Sequence, residues 1–186
     1  MPARNSIALF IAISLLVNFT FSGCSSGQAA SPDHALSNTF PTIQSSSLNK
    51  MTLELPRDFP HTEVFVLLGF SHESKENVAL WARKLRALDP QRPVYEMPVI
   101  SGVVPGLLES VIRRGMKKKY SPEDQANIIP VFSDADKLEQ RFTERGEHQS
   151  MAILLDKQRQ IIGKVYGIFT EAKLQQLTQM IKDSKK

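Results

Sequence analysis

Apolar and polar positions divide the chain into three regimes. Residues 7–17 are an uncharged apolar run. Residues 25–50 are rich in Ser, Ala and Asn with no apolar period, and from about residue 53 short apolar runs alternate with amphipathic stretches. Residues 63–69 (Glu-Val-Phe-Val-Leu-Leu-Gly) are rich in β-formers, as expected for a strand covered on both faces. Ser71 or Ser74 then caps a helix with an apolar stripe of Val78, Trp81, Leu85 and Leu88. Its outer face carries Arg83, Lys84 and Arg86, and Asp89-Pro90 ends it. Residues 94–100 predict a second strand. Pro105 fits a first helical turn, after which Leu108, Val111, Ile112 and Met116 predict a buried stripe, with Arg113, Arg114, Lys117, Lys118 and Lys119 on the opposite face.

Further along, Ser121-Pro122-Glu123-Asp124 has the form of a capped short turn. Residues 128–132 predict a third strand, in which Pro130 implies a bulge or a sheet edge. Ser133 with Asp136 resembles a capping pair and predicts a helix over 134–145. Two strands at 151–155 and 161–166, joined by the polar residues 156–160, predict a hairpin. Thr170 caps a last helix that turns Leu174, Leu177 and Ile181 inward, with Lys182, Lys185 and Lys186 at the end the helix dipole favours for cations. The order is β-α-β-α-β-α-β-β-α. Parallel strands need crossover helices, and a five-residue loop makes the last pair antiparallel. The expected fold is α/β: a three-layer sandwich with a mixed sheet and a C-terminal antiparallel hairpin.

The eleven apolar residues 7–17, preceded by Arg4, are too short for a membrane span, which needs about 20 residues. They predict a signal peptide over residues 1–23. Phe21-Ser22-Gly23-Cys24 resembles the lipobox of bacterial lipoproteins, with Phe where Leu is commonest. That resemblance implies lipidation of Cys24 by fatty-acyl chains such as palmitate, and more than one chain gives stable attachment to a membrane. Ser25 resembles the choice that sorts such proteins to an outer membrane. Residues 24–52 are then a lipidated cysteine and flexible tether, with a reach of roughly 25 to 30 Å. Residues 53–186 are the domain. The expected location is the bacterial cell envelope, with the domain outside the cytoplasm and the anchor in the inner leaflet of the outer membrane of a Gram-negative cell.

Of 186 residues, 41% are hydrophobic and 23% charged, values that exclude a disordered or polytopic membrane chain and leave room for one domain. A net charge of +4, or +3 without Arg4, is too small to imply a nucleic-acid partner. Cys24 is the single cysteine, so no intrachain disulfide, no redox thiol pair and no thiolate zinc cluster can form. His34, His61, His72 and His148 have no metal-ligand spacing. Asp134-x-Asp136 lacks the Gly and closing Glu of a calcium loop, so neither metal nor cofactor is expected.

Residues 127–182, a strand leading into Ser-Asp, a helix, a strand ending in Asp156-Lys157, a turn, a strand and a helix, resemble the peroxiredoxin and thiol-reductase pattern of the thioredoxin-like superfamily. From residue 61 the domain is more weakly similar to the mitochondrial ATP synthase assembly-factor family, which the resemblance places on the same fold without redox cysteines. In the catalytic families the nucleophilic cysteine lies just after the first core strand, where a helix N-terminus lowers its pKa. Here residues 70–77 read Phe-Ser-His-Glu-Ser-Lys-Glu-Asn, and His148-Gln149-Ser150 replaces the thioredoxin cis-proline segment. Thiol-disulfide exchange, peroxidase activity and two-cysteine copper delivery are therefore not expected.

The resemblance implies a ligand or partner face after the strand ends, at residues 71–77 and 101–106, with Ser71, His72, Glu73 and Ser74 as its candidates. Arg113, Arg114, Lys117, Lys118 and Lys119 form a candidate basic patch for anionic headgroups or an acidic envelope protein. Gly69-Phe70-Ser71-His72-Glu73 is also half of a nucleophile elbow, lacking its second Gly, which leaves a cysteine-independent hydrolase using Ser71 as an alternative. The remaining expectation is an assembly factor for a membrane complex.

Overall fold

The computed structural model describes residues 38–102, 106–143 and 150–183. In chain order they form β1 (Ile43–Ser46), β2 (Thr52–Leu55), β3 (Val64–Gly69), α1 (Ser74–Leu88), β4 (Val94–Pro98), α2 (Gly106–Lys117), a 3₁₀ turn (Asp124–Asn127), α3 (Ala135–Phe142), β5 (Ser150–Leu155), β6 (Ile161–Tyr166) and α4 (Glu171–Asp183). The expected signal, Cys24, the tether as far as residue 37, Pro105 and His148 lie outside the described residues. No helix among the described residues is long and apolar enough to cross a membrane.

The main sheet has the order β4-β3-β5-β6. β3 pairs parallel with β4 through the crossover helix α1, and antiparallel with β5, which forms the expected hairpin with β6. Every residue of β3 is buried, as its unbroken apolar run predicts for a central strand. Alternation sends Val64, Val66 and Leu68 to one face and Phe65 and Leu67 to the other. α1 and α4 cover the second face: Trp81, Leu85, Leu177 and Ile181 pack there with Ala152 and Leu154 of β5. Thr170 caps α4 as expected, its hydroxyl accepting the Lys173 N–H at 3.2 Å.

The first face corrects the expected domain boundary at residue 53. Residues 38–52 are folded, not tether: β1 and β2 form an antiparallel hairpin, and Phe40, Ile43 and Leu48 are at most 4% exposed. Phe40 packs between the rings of Phe59 and Phe142, at centroid distances of 6.4 and 5.8 Å. An Asp134 carboxylate oxygen accepts the Gln44 N–H at 2.7 Å, which fixes β1 to the start of α3. Strands this short carry little periodicity, so a Ser-rich sequence conceals them; isolated apolar residues such as Phe40 provide the anchor.

Other boundaries move less. β4 ends at Pro98 instead of continuing to Ile100. Residues 128–132 do not form a regular third strand. They make isolated parallel bridges, Glu96 with Ile128 and Val99 with Val131, because Pro130 has no N–H to continue a ladder. α3 closes at Phe142, where Thr143 N–H bonds to Glu139 O, short of the expected residue 145. Leu88, expected inside, is 45% exposed at the last turn of α1.

The largest departure is α2, which buries none of its residues. Leu108 and Val111, expected in the core, are 48% and 59% exposed, and Leu107 is 87% exposed. Ile112 and Met116 do face inward, but Arg113 joins them. Its guanidinium donates to Ser46 O at 2.7 Å and Pro130 O at 3.3 Å, pairs with Glu109 at 2.7 Å, and lies 4.9 Å over the Phe132 ring. Two backbone carbonyls and an aromatic face offer the guanidinium more than any apolar side chain could gain at that position, so the helix is rotated about its axis from the expected stripe.

Candidate functional site

The C-terminal ends of β3 and β4, the start of α1 and the last turns of α2 enclose a cleft of about 580 Å³. This is within the usual range for a ligand site. Phe70, Val78, Val99, Ile100, Ile112 and Met116 give it apolar walls. Gly69 is required at its base. A Cβ there would stand 2.7 Å from the Ser74 hydroxyl and 3.1 Å from a Val78 methyl, so only glycine lets α1 start this close to the strand.

Ser71, His72 and Ser74 line the cleft beside Gly69. Ser71 and Ser74 close the turn into α1: the Ser74 N–H donates to the Ser71 hydroxyl at 3.2 Å, and the Ser74 hydroxyl donates to Ser71 O at 2.7 Å. The Ser71 hydroxyl thus takes up an N–H of the turn leading into α1, while Glu73, at the cap position, makes no side-chain cap and Ser74 is already the first helical residue. Its own backbone N–H and then the Ser71 hydroxyl hold the Glu73 carboxyl below the ordinary range. Ser71 is thus engaged with Glu73 and Ser74, and among the described residues no histidine bonds to it. A serine nucleophile needs such a base, and the arrangement here is that of a turn leading into a helix.

Two polar groups of the cleft escape sequence reasoning. Glu96 of β4, 3% exposed, accepts from Arg86 at 3.0 Å and from the Tyr120 hydroxyl at 3.4 Å. Burial raises its carboxyl above the usual range against the pull of Arg86. Tyr120 is pushed up to about 12, by burial first and the Glu96 charge second. Lys75, in the first turn of α1 and within the expected 71–77 face, joins them at the rim. The only signal that singles out Glu96 is a charge inside an otherwise apolar strand, and nothing local marks Tyr120.

Asn77, placed on the expected face, has a different task. Its amide donates to the Ser150 hydroxyl and to Gly167 O at 3.2 Å, and accepts the Phe169 N–H at 2.6 Å. With Ser150 also donating to Gly167 O at 3.1 Å, a hydrogen-bonded cluster ties α1 to the start of β5 and the exit of β6.

The residues of the expected basic patch divide between two clefts and the open surface. Arg113 turns inward, as above. It still lines, with Arg114 and Lys117, a second cleft of about 480 Å³ against Lys50 and the β1–β2 turn, while Lys119 faces the strand-end cleft and Lys118 is exposed. No cluster of His, Cys, Asp and Glu able to hold a metal ion occurs among the described residues.

These elements define a thioredoxin-like fold: a mixed sheet between helical layers, with a cleft where the first parallel strand meets its helix. Solved structures bear this out. The chain is similar to the exposed lipoprotein thioredoxin of Streptococcus pneumoniae strain TIGR4, at 14% identity and a TM-score of 0.51, over 76% of this chain and 99% of that one. It is similar to a SCO1/SenC family lipoprotein of Bacillus anthracis strain Ames, at 12% identity and a TM-score of 0.52, over 79% of this chain and 95% of that one. No protein-family model matches the chain, and no curated protein matches its sequence.

Proposed function

We propose that this protein is a lipid-anchored lipoprotein of a bacterial envelope whose thioredoxin-like domain binds a partner or ligand in the strand-end cleft without thiol chemistry. The observation that carries this reading is an intact cleft, at the position a thiolate occupies in catalytic members of the fold, built from Phe70, Ser71 and Ser74 in a chain whose single cysteine is Cys24. The lipobox-like Phe21–Cys24 supports the anchor, as does the occurrence of this fold in two lipoproteins. Cys24→Ser should leave the domain folded and abolish incorporation of radiolabelled palmitate. The mature protein should neither reduce insulin nor consume peroxide; activity in either assay would remove the reading.

One observation favours a second reading, an assembly factor for a membrane complex. α2 presents Leu107, Leu108 and Val111 to solvent beside Arg114, Lys117 and Lys118, a surface of the kind that meets other macromolecules. A photocrosslinker at Val111 in native membranes should capture a specific membrane-complex subunit if this reading holds, and no protein if the domain acts alone.

A further inference from the structure

The strand-end cleft carries a charge arrangement that its own fold does not explain. Lys75 lies in the first turn of a 15-residue helix, where the dipole disfavours a cation. Lys119 faces the same cleft from beyond the end of α2. Lys75 is close enough that its ammonium, with a smaller contribution from burial, holds Lys119 below its ordinary range, and Glu76 offsets only part of this. Among the described residues neither lysine has a carboxylate within ion-pair distance. Behind them the cleft is apolar, through Val78, Ile112 and Met116. The one carboxyl inside, Glu96, is already held by Arg86 and Tyr120.

We infer that the cleft is a binding site for a small organic anion, whose carboxylate or phosphate-like head bridges Lys75 and Lys119 and whose apolar body lies against Val78, Ile112 and Met116. An anion at that point relieves the repulsion between the lysines and complements the α1 N-terminus. The walls behind it offer only apolar contact, so a purely ionic ligand would leave them unused. This rests on reading the cleft as a binding site and names what it takes.

The test uses the full chain in phosphatidylcholine nanodiscs, with carbon-13 methyl-labelled methionine and 4-phenylbutyrate as the probe. The Met116 methyl should shift saturably while that of Met51, exposed and away from the cleft, stays fixed. 4-Phenylbutanol and 4-phenylbutylamine should bind at least about tenfold more weakly, the loss expected when a charge-assisted contact is absent. Lys75→Gln and Lys119→Gln should each weaken the anion by about tenfold, and Lys75→Arg should restore most of it, with the other methionine signals unchanged as a check on folding. If the alcohol or amine shifts Met116 with equal affinity, or the double Gln variant keeps the anion, the charge assignment is overturned while ligand binding in the cleft stands. No saturable shift of Met116 with any of the three overturns the inference outright; insulin reduction by the same sample would instead overturn the reading beneath it.

Discussion

α1 and α2 have similar sequence patterns, with apolar residues at helical spacing and arginines and lysines between them, yet they sit differently in the molecule. α1 lies across the sheet and buries Val78, Trp81, Ala82 and Leu85; α2 buries nothing and turns an arginine inward. α1 faces a continuous apolar surface supplied by β3 and β5. α2 faces the carbonyls of Ser46 and Pro130 at the margin of the fold, where a donor gains more than a methyl group. Periodicity therefore establishes that a helix exists, and the chemistry of the opposing surface decides which of its faces turns inward.

Trp81→Ala should have the largest effect, about 3 to 5 kcal/mol of lost stability in chemical denaturation, because a side chain 1% exposed leaves a cavity. Val111→Ala, made at the equivalent kind of position on α2, should stay within about 0.5 kcal/mol. Similar losses for the two would erase the contrast between the helices.

Glycines at the two helices should respond with opposite signs. Gly69→Ala drives a methyl into Ser74 and should cost about 1 to 3 kcal/mol. Gly115→Ala, with nothing within 4 Å of its Cβ, should raise stability by about 0.5 to 1 kcal/mol. A loss at Gly115 would mean that α2 is packed after all.

Arg113→Ala should cost about 1 to 2 kcal/mol, since it removes bonds to two part-buried carbonyls, while the neighbouring Arg114→Ala should be close to neutral. Equal small effects would restore the orientation that periodicity alone suggests.

The smallest effect is a pH dependence. Burial raises Glu96 above 4.5 in the folded chain, so the stability linked to its protonated form is complete below 4.5 and is lost as pH rises through the folded value. Wild type minus Glu96→Gln, followed by thermal denaturation from pH 4 to 8, should therefore decline with rising pH. A difference that grew instead would show that the Arg86 pair outweighs burial.

Much of the strand order was legible because it depends on local composition. The apolar run at β3, the turn between β5 and β6 and the Thr170 cap are fixed by residues close together in the chain, and the structure has them where the pattern puts them. The Ser71 hydroxyl was legible as an acceptor at the turn into α1 for the same reason, although the cap position itself falls on Glu73. The β1–β2 hairpin was not, since its strands are four residues long and its anchor is a single aromatic ring held by Phe59 and Phe142 from distant parts of the chain. The cleft was legible as a place, with Lys75 on its expected face, but not as a set of groups: Lys75, Glu96 and the adjacent Lys119 and Tyr120 come from three separate segments.

The sequence by itself determined that only one cysteine exists, at position 24, so that no thiol pair can operate within this chain whatever its shape. It also determined most of the stretches that become helix or strand, β1, β2 and residues 128–132 excepted, because hydrogen bonding within a helix and alternation along a strand act over a few residues. Only the tertiary structure decided that α2 turns Arg113 inward, that residues 38–52 belong to the fold, and that two lysines 44 positions apart in sequence face one cleft. Each of these depends on what a side chain meets from elsewhere in the chain, and that opposing surface exists only once the sheet has formed.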